Sequence, residues 1–272
     1  MPERRALLEN WLRSVLDRDE VVLAPASGDA SFRRYWRLGH EGTSYIAMDA
    51  PPGQEDTDRF VRLARAWRDL GLRTPEIYRE NPQQGFLLLE DFGSRLYLDH
   101  LDGASADRLY GDALGALVII QACATTVGLP SYDDAFLRRE MALFQDWLVE
   151  RHLGLVLTAQ EEADLEAALA FLAASAQEQP RVCVHRDFHS RNLMITASPS
   201  PGILDFQDAV AGPVTYDLVS LLRDCYIAWP RARVEEWAWG YFALAVQSGI
   251  LRQEQDADCL RWFYLLGFQL HL

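Results

Sequence analysis

The sequence predicts an α+β fold in two lobes, sheet-rich over residues 1–92 and mainly helical over residues 93–272. Three observations predict it. Strand-like runs separated by short polar turns fill the first third of the chain. Apolar residues at helical spacing dominate the rest. One compact strand–loop–strand segment, Val182 to Phe206, interrupts the helices and gathers most of the chemistry-bearing side chains.

The opening MPERRALLENWLRSVLD reads as an amphipathic helix, without the continuous apolar stretch of a secretion signal. Val21 to Ala24 reads as a short strand, and the small-residue turn Pro25 to Ser31 follows it. Phe32 to Leu38 and Tyr45 to Met48 are the next two strands, joined by the polar turn Gly39 to Ser44. From Thr57 the positions Phe60, Leu63, Ala64, Trp67 and Leu70 repeat as on a helix, and Gly71 stops it. Ile77-Tyr78 and Phe86 to Glu90 flank the turn Asn81 to Gly85, and the lobe junction falls at Glu90 to Gly93. Leu109, Leu114, Leu117 and Val118 mark one long helix, and Met141, Phe144, Trp147 and Leu148 another. Thr158 with Glu161 makes a capping box at the start of a third. Helices resume near Tyr216. The last one, with Trp262, Phe263, Leu265, Leu266 and Phe268, stops without a polar tail, so a shortened C-terminal lobe is expected.

Composition narrows the partners. A net charge of −14 argues against nucleic acid, whose phosphates call for a basic stripe. No apolar run approaches the roughly 18 residues of a membrane span, so a cytoplasmic protein with no membrane partner is expected. An acidic surface serves solubility and would also tolerate a cationic substrate. The four cysteines, Cys123, Cys183, Cys225 and Cys259, lack C-x-x-C spacing and sit in apolar sequence, which predicts buried free thiols. The chain has no lysine; its basic side chains other than histidine are all arginine.

The segment VCVHRDFHSRNLMI, followed by GILDFQDA, carries the chemistry. His185-Arg186-Asp187 follows a short apolar strand, with Asn192 and Asp205 beyond it, in the pattern H-R-D-x-x-x-x-N plus a second aspartate. Phosphoryl transfer needs positioning and charge neutralisation, and Mg²⁺ needs hard oxygen ligands. Asn192 and Asp205 offer an amide oxygen and a carboxylate for metal, and Asp187 remains to orient the acceptor hydroxyl and take its proton. A hairpin turning at Pro199 to Gly202 would bring Asn192 and Asp205 together. Taken singly, each of these residues would serve equally as a turn or capping residue; their combination is what points to a site. His189 is expected to make a structural hydrogen bond within the loop.

The string His185 to Asn192 resembles the H-x-D-x-H-x-x-N of the aminoglycoside phosphotransferase and choline kinase superfamily. Ile203 to Ala209 and Gly212 to Leu218 are also similar to it. The resemblance implies a bilobal protein-kinase-like fold, ATP and Mg²⁺ as cofactors, and a small-molecule acceptor. It implies that Asp217 braces the catalytic loop and caps the helix beginning near Leu218. SFRRYWRL, YIAMDAPPGQED, GFLLLEDFG and DFQDAVAGPVTYDLVSLLRDCY resemble, more narrowly, the bacterial anomeric kinases of N-acetylmuramate and N-acetylglucosamine used in cell-wall recycling. That likeness implies an amino-sugar acceptor phosphorylated on its C1 hydroxyl. An aminoglycoside phosphotransferase is the second reading, favoured if carboxylates such as Glu254, Asp256 and Asp258 cluster at the acceptor site. A nucleotide-binding pseudokinase is the third.

In such a fold the loop between the first two strands covers the phosphates. Ser27, Gly28, Ala30 and Ser31 stand there, offering backbone N–H groups. Glu90 to Phe92 stand where main-chain groups hold adenine, so Glu90 and Phe92 are candidate nucleotide contacts. Met48 stands where a lysine is expected to reach the phosphates. Arg33 or Arg34 is the candidate replacement, with Glu55 as its partner.

Overall fold

The computed structural model describes residues 2–27 and 32–270. They group into two compact units, Met1–Arg95 with Met194–Gln207, and Leu96–Leu193 with Asp208–Leu272. Residues 194–207 thus group with the N-terminal unit, whereas a linear reading places them with the helical part. The fold is mixed α+β, with an antiparallel sheet towards the N-terminus and helices towards the C-terminus.

In the first unit, α1 (Pro2–Leu16) lays Leu8 and Leu12 on a core of Val21, Leu23, Leu38, Ala47, Phe86 and Leu88. Five strands follow: β1 (Ala24–Ser27), β2 (Arg34–His40), β3 (Thr43–Asp49), β4 (Ile77–Asn81) and β5 (Phe86–Glu90). They pair in the order β1-β2-β3-β5-β4, antiparallel throughout. The strand expected at Val21 to Ala24 starts only at Ala24. Val21 and Leu23 point inward and Val22 outward, which imitates strand alternation, but the ladder begins later. Glu41 and Gly42, at φ 49° and 77°, close the β2–β3 hairpin in the left-handed geometry that suits a two-residue turn. Gly85 is required at its turn, because an added Cβ would lie 1.8 Å from the carbonyl oxygen of Ala50. Between β3 and β4, helix α2 (Thr57–Asp69) is capped by Asp56, whose side chain accepts from Arg59 N at 2.9 Å. Phe60 and Trp67 on its buried face pack against Phe206 at 4.9 and 5.6 Å, which ties residues 194–207 to this unit.

In the second unit, α3 (Ala106–Cys123), α4 (Asp134–Leu143) and α5 (Ala159–Gln177) precede β6 (Arg181–Val184). The expected capping box of Thr158 and Glu161 opens α5. The helix expected through Trp147 is not regular: α4 runs into π-helical turns over Phe144–His152. The wider turn rotates the apolar stripe outward, leaving Trp147 and Leu148 exposed. Beyond β6 along the chain come β7 (Leu193–Met194), β8 (Gly202–Ile203) and β9 (Val210–Pro213). β7 and β8 form the expected hairpin, and β6 pairs antiparallel with β9. Helices α6 (Tyr216–Leu222), α7 (Arg231–Gln247) and α8 (Asp256–Leu270) complete the second unit around Tyr110, Leu117, Phe188, Leu218, Tyr241 and Phe263. Cys183 and Cys259 are buried thiols outside any disulfide, as expected, but Cys123 and Cys225 are exposed. Those two close α3 and follow α6, outside the packed faces. No helix among the described residues is long and apolar enough to cross a membrane.

Candidate active site

The buried strand β6 delivers His185 to Asn192 as a loop held from several sides. The carboxylate of Asp217 accepts from His185 N at 2.7 Å and from Arg186 N at 3.0 Å. Those bonds hold Arg186 at φ 81°, a left-handed conformation that L residues with long side chains rarely adopt. Asp187 N donates to His185 Nδ1 at 3.2 Å. The carbonyl of Asp187 accepts from His189 N at 3.0 Å and from Asn192 Nδ2 at 2.9 Å. Asn192 N donates to the carbonyl of His189 at 2.9 Å, and Ser190 N to Asp224 at 3.0 Å. Phe188 is wholly buried, an anchor beneath the half-buried Asp187. The loop therefore holds Asp187 through its main chain.

Two expectations change here. Thr215, not Asp217, occupies the N-cap position of α6, and Asp217 sits wholly buried in the first turn, where it braces the loop. The bonds that His189 makes inside the loop are main-chain bonds. Its ring Nδ1 is buried with no hydrogen-bond partner among the described residues.

Burial pushes the Asp217 carboxyl up from 3.8 to about 7, against the pull of the His185 and Arg186 N–H groups, and the Asp187 charge adds to the rise. The folded chain then keeps this proton to higher pH than the unfolded chain does. Stability linked to Asp217 is present below about 3.8 and is lost as pH rises through about 7. The melting temperature of the wild type minus that of Asp217→Asn is expected to fall between those limits. A difference that stays flat or grows in thermal melts across that range would sink the assignment.

In the first unit, Asp205 stands at φ 58°. Its Oδ1 accepts from Gln207 Nε2 at 2.7 Å and from Arg33 Nη2 at 3.3 Å. Arg33 is only 7% exposed, and its Nε lies 3.7 Å from Glu55 Oε2. Glu55 Oε1 accepts from Phe32 N at 3.1 Å. Met48 is buried in β3 between Tyr35 and Leu87, an apolar strand position. The structure thus brings together Arg33, Glu55 and Asp205. Arg34 instead opens β2 opposite Asp49.

Ser27 closes β1 opposite Tyr35, while Gly28, Ala30 and Ser31 lie outside the described residues. Glu90 N donates to Glu76 O at 2.9 Å, and the Glu90 carboxylate pairs with Arg73 and, at 3.5 Å, with Arg68. Phe92 lies under the guanidinium of Arg73, 5.3 Å from ring centre to Cζ, and fills the space that a Cβ on Gly202 would need. Next to it Asp91 binds Arg37 Nε at 2.6 Å and Ser44 Oγ at 2.5 Å. Burial alone would raise the Asp91 pKa, but these bonds and one from Gly93 N outweigh it and hold it below the ordinary carboxylate value. Sequence reasoning missed the braces from outside the loop, Asp224 on Ser190 and Glu140 on Arg186, because no local spacing relates them.

The phosphotransferase enzyme family matches this chain over residues 22–254. The N-acetylmuramate/N-acetylglucosamine kinase of Pseudomonas putida is 45% identical over 285 aligned residues, covering 100% of this chain and 84% of that protein. Among solved structures, choline kinase LicA from Streptococcus pneumoniae superposes at TM-score 0.60, 13% identity and 99% coverage of each chain. ADP-bound aminoglycoside phosphotransferase APH(2'')-Ib superposes at TM-score 0.59, 16% identity and 96% coverage of each chain. At such identities the structural likeness speaks for the fold alone. Family and fold agree with the loop geometry, and the chain belongs to the phosphotransferase enzyme family, as an ATP-dependent kinase with a hydroxyl acceptor.

Proposed function

We propose that this chain transfers the γ-phosphoryl group of MgATP to the anomeric C1 hydroxyl of N-acetylmuramate or N-acetylglucosamine. The sugar 1-phosphate formed would feed nucleotide-sugar synthesis in cell-wall recycling, in the cytoplasm. The observation that carries the reading is the 45% identity along the whole chain to the Pseudomonas putida kinase. Asp187 is the base, orienting the C1 hydroxyl and accepting its proton from a loop that fixes its main chain.

The residues present suit Mg²⁺. Gln207 and Arg33 both bond Oδ1 of Asp205, so Oδ2 is the oxygen offered to a hard cation. Asn192 spends its Nδ2 on the carbonyl of Asp187, so its amide oxygen is the end presented. Among the described residues no group of three or more His, Cys, Asp or Glu is placed to hold a metal. Asn192 and Asp205 would therefore share the ion with phosphate oxygens and water, and the ion would neutralise charge developing on the transferred group. Arg33 takes the place of the missing lysine, and backbone groups of Ser27, Gly28, Ala30 and Ser31 would cover the phosphates. Adenine would lie against the main chain at Glu90 to Phe92. Of the acids that would favour the polycationic alternative, Asp258 is already paired with Arg261 at 3.0 Å.

The test is ADP release from MgATP with N-acetylmuramate, N-acetylglucosamine, kanamycin and choline offered separately. Turnover is expected with the two amino sugars and is expected to vanish when a methyl group blocks the C1 hydroxyl. Turnover with kanamycin alone would replace this reading by the aminoglycoside one.

A further inference from the structure

The helical unit holds an open pocket of about 180 Å³ whose walls include Arg186, His189, Tyr216, Arg223, Asp224 and Leu270. Whole small-molecule ligands occupy roughly 300–1,000 Å³, so this volume suits a substituent. Two guanidinium groups and an imidazole meet here in a chain with a net charge of −14. The acid in the wall is already committed. Asp224 accepts from Ser190 N and Tyr226 N, each at 3.0 Å, and from Ser190 Oγ.

Arg186 gives Nη2 to Glu140 at 2.7 Å and lies over the ring of Phe136, yet its Nε is buried without a hydrogen-bond partner among the described residues. Nδ1 of His189 is in the same condition. Both atoms are closed off from solvent, so Arg186 and His189 would meet a ligand through their remaining polar atoms. Arg223, at the C-terminal end of α6, stacks over Tyr264 at 5.9 Å and packs on Gly267, where an added Cβ would come within 3.1 Å of Nη1. Its fork is thus seated before any ligand arrives. Arg186 and His189 stand on either side of Asp187 in the braced loop, so two walls of this pocket belong to the loop that carries the proposed base.

We propose that the pocket is a carboxylate subsite of the acceptor site, in which Arg223 and Arg186 take the lactyl carboxylate that N-acetylmuramate carries and N-acetylglucosamine lacks. This rests on the amino-sugar reading above. Guanidinium matches carboxylate geometry with two parallel bonds, and an ammonium does not. Arg223 then sets the preference between the two sugars.

The measurement is kcat/KM for both sugars with the wild type, Arg223→Met and Arg223→Lys. The ratio of N-acetylmuramate to N-acetylglucosamine is expected to drop on the order of 10- to 100-fold in Arg223→Met, as for loss of one partner of a buried charge pair. Arg223→Lys should fall between, keeping charge but not the fork. A second probe needs no variant to fold: the carboxamide of N-acetylmuramate, offered to the wild type, should lose a similar factor. A ratio unmoved in Arg223→Met, or a carboxamide used as well as the acid, overturns the subsite and leaves the sugar-kinase reading standing. Turnover of neither sugar by the wild type overturns both.

Discussion

Replacing Asp187 with Asn is expected to lower kcat by about 10²–10⁴-fold, the range that a positioned general base contributes. The melting-temperature rise that MgATP gives the wild type is expected to persist in the variant. This separation follows from how the loop is held. Asp187 enters its hydrogen bonds with His185, His189 and Asn192 through its own backbone N–H and carbonyl. Asn leaves those main-chain bonds in place and is nearly the same size, so the loop backbone is kept while the carboxylate proposed to accept the proton is removed. Asn192→Ala is the contrast, since it removes a bond to the Asp187 carbonyl and a proposed metal ligand together. Steady-state turnover beside thermal shift distinguishes the two. Undiminished turnover in Asp187→Asn would place the base elsewhere.

Much of this was legible because it is local. Strand alternation, the Thr158–Glu161 box and the H-R-D-x-x-x-x-N spacing are short-range patterns, and the hairpin of β7 and β8 follows from apolar pairs around a proline turn. What the sequence hid is long-range. Asp217 lies in a string whose resemblance implies both a loop brace and a helix cap. No local spacing reports that the brace takes the N–H groups of His185 and Arg186, or that Thr215 holds the cap position. Glu140 and Asp224 reach the loop around Asp187 from α4 and from the end of α6, at separations that no periodicity reports. The π-helical turns after α4 depend on a backbone choice that the apolar spacing of Met141 to Leu148 does not reveal. Arg33 and Arg34 are indistinguishable in composition. Only the strand register decides between them, because Arg34 takes the place opposite Asp49 in β2 and its predecessor is left to face Asp205.

Arg33→Met is expected to reduce kcat/KM for ATP by about 10²–10³-fold, the cost of losing one preorganised charge stabiliser. A fall in melting temperature should accompany it, since breaking a buried ion pair leaves its partners uncompensated. Arg33 is 7% exposed and lies between Glu55 at 3.7 Å and Asp205 at 3.3 Å. Without it, two carboxylates would face each other with no intervening cation. Arg33→Lys should recover only part of the rate, because a single ammonium cannot bond two separated carboxylates as a planar fork does. The double change Arg33→Met with Met48→Lys tests the place of the charge. Met48 is 1% exposed within a fully paired strand, and a lysine there must be desolvated before it can act. No recovery is therefore expected. Recovery in the double variant would show that the strand position still serves the phosphates and that Arg33 mainly staples Asp205 to Glu55. A loss of melting temperature with unchanged ATP kinetics in Arg33→Met would also reduce Arg33 to a staple. Loss of both, unrelieved by the lysine in β3, would show that the phosphate-facing cation of this lysine-free chain has moved from β3 to the residue before β2.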